Sequence, residues 1–216
     1  MVRLPKSFWL IAPFATWMVL MTVLPATTWA YAVRTAVVAG LLVAGWRIGL
    51  ETLDERRETS LPSNVSSPPK SFVSRLKSSL LPGLLVGLAV FATWILPEQF
   101  DLPWYLRFCI IGEGGTQAVA EASAVMIAIR LIGSAFVISV AEELFFRKWL
   151  ISFAGFWPMV ALFAVEHDRW LVAAICGVAY GWLYLRHGLG AAIVAHATTN
   201  LVLGIWVLKT GQWQFW

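Results

Sequence analysis

The chain has 216 residues, of which 59% are hydrophobic and 13% charged, with a net charge of +4. Soluble domains carry about 25% charged residues, so an ordinary water-soluble domain is excluded, and a mean hydropathy of +0.74 points to a membrane protein. The positive excess reads as Lys and Arg kept in cytoplasmic loops rather than as a nucleic-acid surface, and Cys109 and Cys176 have neither zinc-site nor redox spacing.

Seven apolar stretches follow one another: Ser7–Leu24, Trp29–Leu50, Leu80–Leu96, Ala122–Leu150, Phe153–Val165, Trp170–Leu185 and Leu189–Leu208. Most are near the ~20 residues that cross a hydrocarbon core. Arg3 and Lys6, the first apolar run and Ala26–Ala30 together imitate a cleavable signal. That run is long for one and further spans follow at once, so a retained first helix is expected. The first two stretches form an N-terminal helical hairpin over residues 1–50. Glu51–Ser78 is rich in Ser, charge and proline (Pro62, Pro68, Pro69), which predicts a polar loop over residues 51–78. It carries Arg56, Arg57, Lys70, Arg75 and Lys77, whereas the turn at Pro25–Thr28 has no Lys or Arg. The positive-inside rule then puts the N-terminus and this loop in the cytoplasm.

Residues 79–216 make up the rest of the membrane bundle. The fourth stretch is too long for a perpendicular span, which predicts tilt, a kink or an interfacial start near Ala122. The fifth is too short for a full crossing. Only helices and closed barrels satisfy their backbone in lipid, and the period-two pattern of a barrel is missing. The expected fold is all-α, a polytopic transmembrane helical bundle of about seven membrane helices (six to eight), with a polar site in its C-terminal half. Gly83-x-x-x-Gly87 and Gly177-x-x-x-Gly181 have helix-contact spacing, although glycine is also simply common in membrane helices.

Three polar groups interrupt the apolar runs, where a charge at a helix centre costs about 2.5–3.5 kcal/mol on insertion scales. In Glu142-Glu143-Leu144-Phe145-Phe146-Arg147, Glu143 and Arg147 are four apart and share a helix face, a pair that neutralises itself. Glu142 points about 100° away and is the acid left over, a candidate general base. His167 ends the fifth stretch beside Glu166, Asp168 and Arg169, which alone is an ordinary polar boundary. His196 and Asn200 share a face of the last stretch, either as a polar zipper between helices or as part of a site. Together, an acid, two histidines and an amide can activate water and stabilise an oxyanion. No Gly-x-Ser-x-Gly is present.

At these residues the sequence resembles the CAAX-protease and bacteriocin-processing family of intramembrane endopeptidases. That family is marked by Glu-Glu-x-x-x-Arg, Phe-x-x-x-His and His-x-x-x-Asn on successive helices. The counterparts here are Glu142-Glu143 with Arg147, Phe163 with His167, and His196 with Asn200. In overall size the chain also resembles the CAAX-protease-related proteins found beside bacterial exosortase systems. The resemblance implies that Glu142 and His167 activate the attacking water, that His196 and Asn200 hold the oxyanion, and that Glu143, Arg147 and Phe163 support the site. It implies a membrane-associated protein or peptide as substrate, the bilayer as surroundings, no nucleic acid, and residence as a multi-pass protein of a bacterial inner membrane. Glu166 and Asp168 depart from the pattern, and their charge is expected to raise the His167 pKa or to offer a substitute ligand. Glu142, His167 and His196 would be the ligands of a Zn²⁺ ion. A His-Glu-x-x-His helix is missing, so a metal-free, glutamate-dependent mechanism without a cofactor is favoured. The rival readings are a non-catalytic scaffold or immunity-type protein and a proton-coupled transporter. Against the transporter, the chain has no convincing inverted repeat.

Overall fold

The computed structural model describes residues 4–58, 72–111 and 123–215, and the regular structure among them is all helical. Eight helices follow in order: α1 (Lys6–Val23), α2 (Thr28–Glu58), α3 (Phe72–Gln99), α4 (Pro103–Phe108), α5 (Ala124–Ala154), α6 (Phe156–Val165), α7 (Trp170–His187) and α8 (Leu189–Thr210). A short 3₁₀ turn, Trp213–Phe215, ends the described chain. Five of the eight, α1, α3, α5, α8 and the Thr28–Trp46 part of α2, are long and apolar enough to cross a membrane. The seven apolar stretches thus correspond to seven helices, and α4 is an addition.

The bundle turns apolar side chains outward as well as inward. Val43, Phe153, Trp157 and Val165 are all exposed, a surface suited to lipid rather than to water. The protein is a polytopic helical membrane protein.

The predicted loop is shorter than its composition suggested. Helix α2 runs on to Glu58 and α3 starts at Phe72, so helix enters the 51–78 segment from both ends. The stretch 51–58 reads Glu-Thr-Leu-Asp-Glu-Arg-Arg-Glu, mostly good helix formers with no proline. The three prolines fall at 62, 68 and 69 and lie outside the described residues.

Helix α5 has 31 residues and is the axis of the C-terminal half. Ser123 caps it by accepting the Met126 N–H, and Ala122, the expected start, lies outside the described residues. Its excess length is taken up by two stretches of wider π-helical turns, Gly133–Ile138 and Glu143–Leu150, with Glu142 between them. Such turns are rare and cluster at functional sites. Gly155, at φ +96°, ends α5 and reverses the chain into α6. Helix α6 has 10 residues, about 15 Å of rise, which is too short to cross a bilayer by itself.

Helices α3 and α8 form the most extensive contact, and glycine makes it close. A Cβ on Gly87 would lie 2.5 Å from the Ala195 carbonyl oxygen and 2.7 Å from Thr198 Cβ; one on Gly83 would lie 2.7 Å from Val194 Cγ1. Thr199 Oγ1 also donates to the Gly87 carbonyl at 2.8 Å. Gly87→Ala is therefore expected to destabilise the protein by about 1–3 kcal/mol, the usual cost of overpacking. Thermal unfolding in detergent measures this, with Gly40→Ala as the control because nothing lies within 4 Å of a Cβ there.

Candidate active site

Three elements bring the polar groups together: the middle of α5, the end of α6 and the middle of α8. An aromatic chain backs them, with Phe14 of α1 against Phe146 at 5.1 Å and Phe146 against Phe163 at 5.0 Å. Glu143 and Arg147 are fully buried, 3.1 Å apart between Oε1 and Nη1. The guanidinium hydrogens are not aimed at that oxygen, and Nε, Nη1 and Nη2 make no hydrogen bond. Arg147 lies instead over the Phe163 ring at 4.2 Å and the Tyr180 ring at 5.3 Å. With Phe146 also at 5.8 Å, its charge is thus held by one carboxylate and three ring faces. This gives Phe163 a physical task, that of a platform for Arg147.

Glu143 has a second partner. His196 Nδ1 lies 2.8 Å from the same Oε1, and since a carboxylate only accepts, Nδ1 carries the hydrogen. Nε2 then faces Glu142, 3.7 Å from its Oε2. That oxygen is buried and has no hydrogen-bond partner. Tyr180 stacks on the His196 ring with centroids 5.1 Å apart, and its hydroxyl donates to Thr199 at 2.7 Å. One imidazole is therefore fixed at Nδ1 and on a ring face, and Nε2 is left for chemistry.

His167 is held differently. Its Nδ1 donates to the Phe163 carbonyl at 2.8 Å, which leaves Nε2 with its lone pair. The ring lies 4.7 Å from Phe163 and 6.0 Å from Trp94, centroid to centroid. The short turn that bears it is clamped on both sides. Arg169 forms an ion pair with Glu98 at the end of α3 and covers the Phe215 ring at 4.7 Å. The Asp168 carbonyl accepts from the Ile111 N–H at 2.9 Å. No hydrogen bond or ion pair joins His167 to Glu142 among the described residues, so the acid meets His196 first.

Asn200 does not face an open pocket. Its amide donates to the Ser134 carbonyl at 3.0 Å and to Ser139 Oγ at 3.1 Å, and Ser139 Oγ itself donates to Ser134 O at 3.0 Å. The amide thus ties α8 to the wide turn of α5 that precedes Glu142. Ser134, Ser139, Tyr180 and Thr199 were not singled out in the sequence. The available signal was four hydroxyls inside apolar helices, which need partners within the bundle.

The acidic flank of His167 works against the expectation. Burial pushes the His167 pKa down to about 4, and the nearby Asp168 only partly opposes this. Burial also pushes Glu166 up to about 7, with Arg147 pulling the other way. Desolvation outweighs the charge of the neighbours. The two shifts have opposite consequences for stability. His167 binds its proton less readily folded than unfolded, so it makes stability rise with pH from about 4 to about 6.5. Glu166 binds its proton more readily folded, so it makes stability fall from about 4.5 to about 7. Relative to wild type, Glu166→Gln is expected to show stability rising more steeply with pH across this window, and His167→Gln falling more steeply. Unfolding temperatures measured from pH 4 to pH 7.5 provide the check.

Among the described residues no three His, Cys, Asp or Glu side chains converge as metal ligands, Glu142, His167 and His196 included.

Residues 124–202 match the family model of type II CAAX prenyl endopeptidase Rce1-like proteins, a segment that runs from the start of α5 into α8 and holds all three motifs. No curated protein matches the chain, and no solved structure does.

Proposed function

We propose, from the match of residues 124–202 to the Rce1-like family model, that the protein is an intramembrane endopeptidase acting on a membrane-associated protein or peptide. One observation supports this reading most: a buried Glu142 oxygen without a hydrogen-bond partner, 3.7 Å from His196 Nε2. A water admitted between these two atoms would lie about 2.8 Å from each. Glu142 takes a proton from this water as its oxygen adds to the scissile carbonyl. Negative charge then develops on the carbonyl oxygen, and His196 in its doubly protonated form donates Nε2–H to it. Glu142 returns the proton to the leaving nitrogen as the tetrahedral intermediate collapses, which regenerates the carboxylate. His167, with Nε2 unbonded, is a second acceptor for the water. Asn200 reaches the oxyanion by releasing Ser134 or Ser139; otherwise it acts by holding α8 in place. Glu143, Arg147 and Phe163 keep His196 aligned.

The test is terminal-peptide proteomics on membranes from cells making wild type or Glu142→Ala at matched, folded levels. New protein termini with wild type alone are expected, and they identify the substrate. Identical termini in the two samples, with the host's natural partners present, overturn the reading in favour of a scaffold.

A further inference from the structure

The turn that carries His167 is gripped from outside the segment that matches the family model, which begins at residue 124. Between the end of α6 at Val165 and the start of α7 at Trp170 the chain passes Glu166–Arg169. Arg169 stands just before α7 and cannot cap it, because a guanidinium only donates. Its side chain turns instead to Glu98 near the end of α3. The two side chains are 6% and 11% exposed, so the ion pair stands almost out of water. The Phe215 ring covers the guanidinium at 4.7 Å.

Helix α3 is thereby a common frame for the two histidines. Gly87, Trp94 and Glu98 follow at helical spacing and share one face of it. Gly87 admits α8 at Ala195, beside His196, and its carbonyl accepts from Thr199 at 2.8 Å. Trp94 lies 6.0 Å from the His167 ring. Glu98 fastens Arg169, two residues past His167. One helix thus places His196 by close packing and His167 by an ion pair. The His167 N–H reaches the Ala164 carbonyl, three residues back, at 3.2 Å. The regular helical ladder has ended by then, so the turn takes its orientation from what grips it: the Glu98–Arg169 pair and the Asp168–Ile111 backbone bond. On that orientation depends the bond from His167 Nδ1 back to the Phe163 carbonyl at 2.8 Å.

We infer that Arg169, gripped by Glu98 and Phe215, is a positioning residue that holds the His167 ring against the Phe163 carbonyl and so keeps Nε2 free as an acceptor. What Nε2 does there rests on the proposed reaction; where the ring sits does not. A charge-assisted bond between two buried side chains fixes direction as well as distance. An apolar contact of similar volume can replace such a pair with little loss of stability, but it has no direction to impose. Stability and ring placement are therefore separable at this pair.

The test is solid-state NMR of the full chain, labelled with ¹⁵N-histidine, in lipid bilayers at about pH 8, where an ordinary imidazole is neutral. The chain has 3 histidines, and the signals lost in His167→Gln identify those of His167. Wild type is expected to show His167 in the Nδ1–H form alone. Arg169→Gln is expected to show both tautomers and to lower kcat about 10–100-fold, the scale of a small misplacement, with KM little changed. Arg169→Lys keeps the charge and is expected to retain the Nδ1–H form. If Arg169→Gln fails to fold, the double variant Glu98→Gln with Arg169→Met serves, because it leaves no buried charge. It is expected to unfold near the wild-type temperature and still to show both tautomers. Wild-type His167 signals in either folded variant overturn the positioning role, and a shifted tautomer with wild-type kcat overturns its link to the reaction. The tautomer readout needs no substrate. Failure of the proposed reaction, seen as undiminished cleavage by Glu142→Gln, therefore leaves the placement of the ring standing.

Discussion

Glu142→Gln is expected to lower kcat on the cleaved substrate by about 10²–10⁴-fold, the usual contribution of a general base, with KM nearly unchanged. The amide matches the carboxylate in size, so packing around α5 is preserved. What disappears is the ability to accept a proton from water, because an amide oxygen is far too weakly basic. The substitution also places an N–H₂ or C=O opposite His196 Nε2, 3.7 Å away in the native protein, so a folded protein with unchanged unfolding temperature is part of the expectation. A variant that kept more than a tenth of wild-type kcat would remove Glu142 from the chemistry. The base would then be sought at His167, whose Nε2 is unbonded.

Arg147→Ala is expected to cost about 3–5 kcal/mol, because it leaves the Glu143 carboxylate buried and charged without its counter-ion. Both side chains are 0% exposed, so neither has water to fall back on. The loss has two further parts, the ring contacts with Phe163 and Tyr180 and the alignment of His196 through their shared carboxylate oxygen. The double variant Arg147→Leu with Glu143→Gln removes both charges at once. It is expected to unfold closer to wild type than Arg147→Ala does, since a buried pair is often neutral when replaced whole. Thermal or denaturant unfolding in detergent decides this. A double variant no more stable than Arg147→Ala would mean that ring contacts and packing, not charge, account for the loss.

The helices were legible because lipid demands long apolar runs, and seven runs became seven helices. The pairing of Glu143 with Arg147 was legible too, since four-residue spacing survives in the folded helix at 3.1 Å. The shortness of the fifth helix was legible from its apolar run, and α6 has 10 residues. Other features depend on neighbours distant in the chain. The sequence gives no hint that Asn200 is engaged by Ser134 and Ser139, 66 and 61 residues away, or that Tyr180 covers the His196 ring. Charge counting around His167 likewise misled, because Asp168 is a smaller influence than the loss of water. Wide turns within α5 leave no mark in hydrophobic periodicity that a short window can separate from tilt.

The wide turn at Gly133–Ile138 is also a statement about chain length. A π-helical turn stores one residue more than an α-helical turn in nearly the same rise, so it is the folded form of a single-residue insertion absorbed on the spot. A chain shortened by one residue within this turn would close it to a regular helix and still deliver Glu142 to His196. It would take away the carbonyl on which Asn200 is fastened. Length variation at this one place therefore separates the anchoring of α8 from the delivery of the acid.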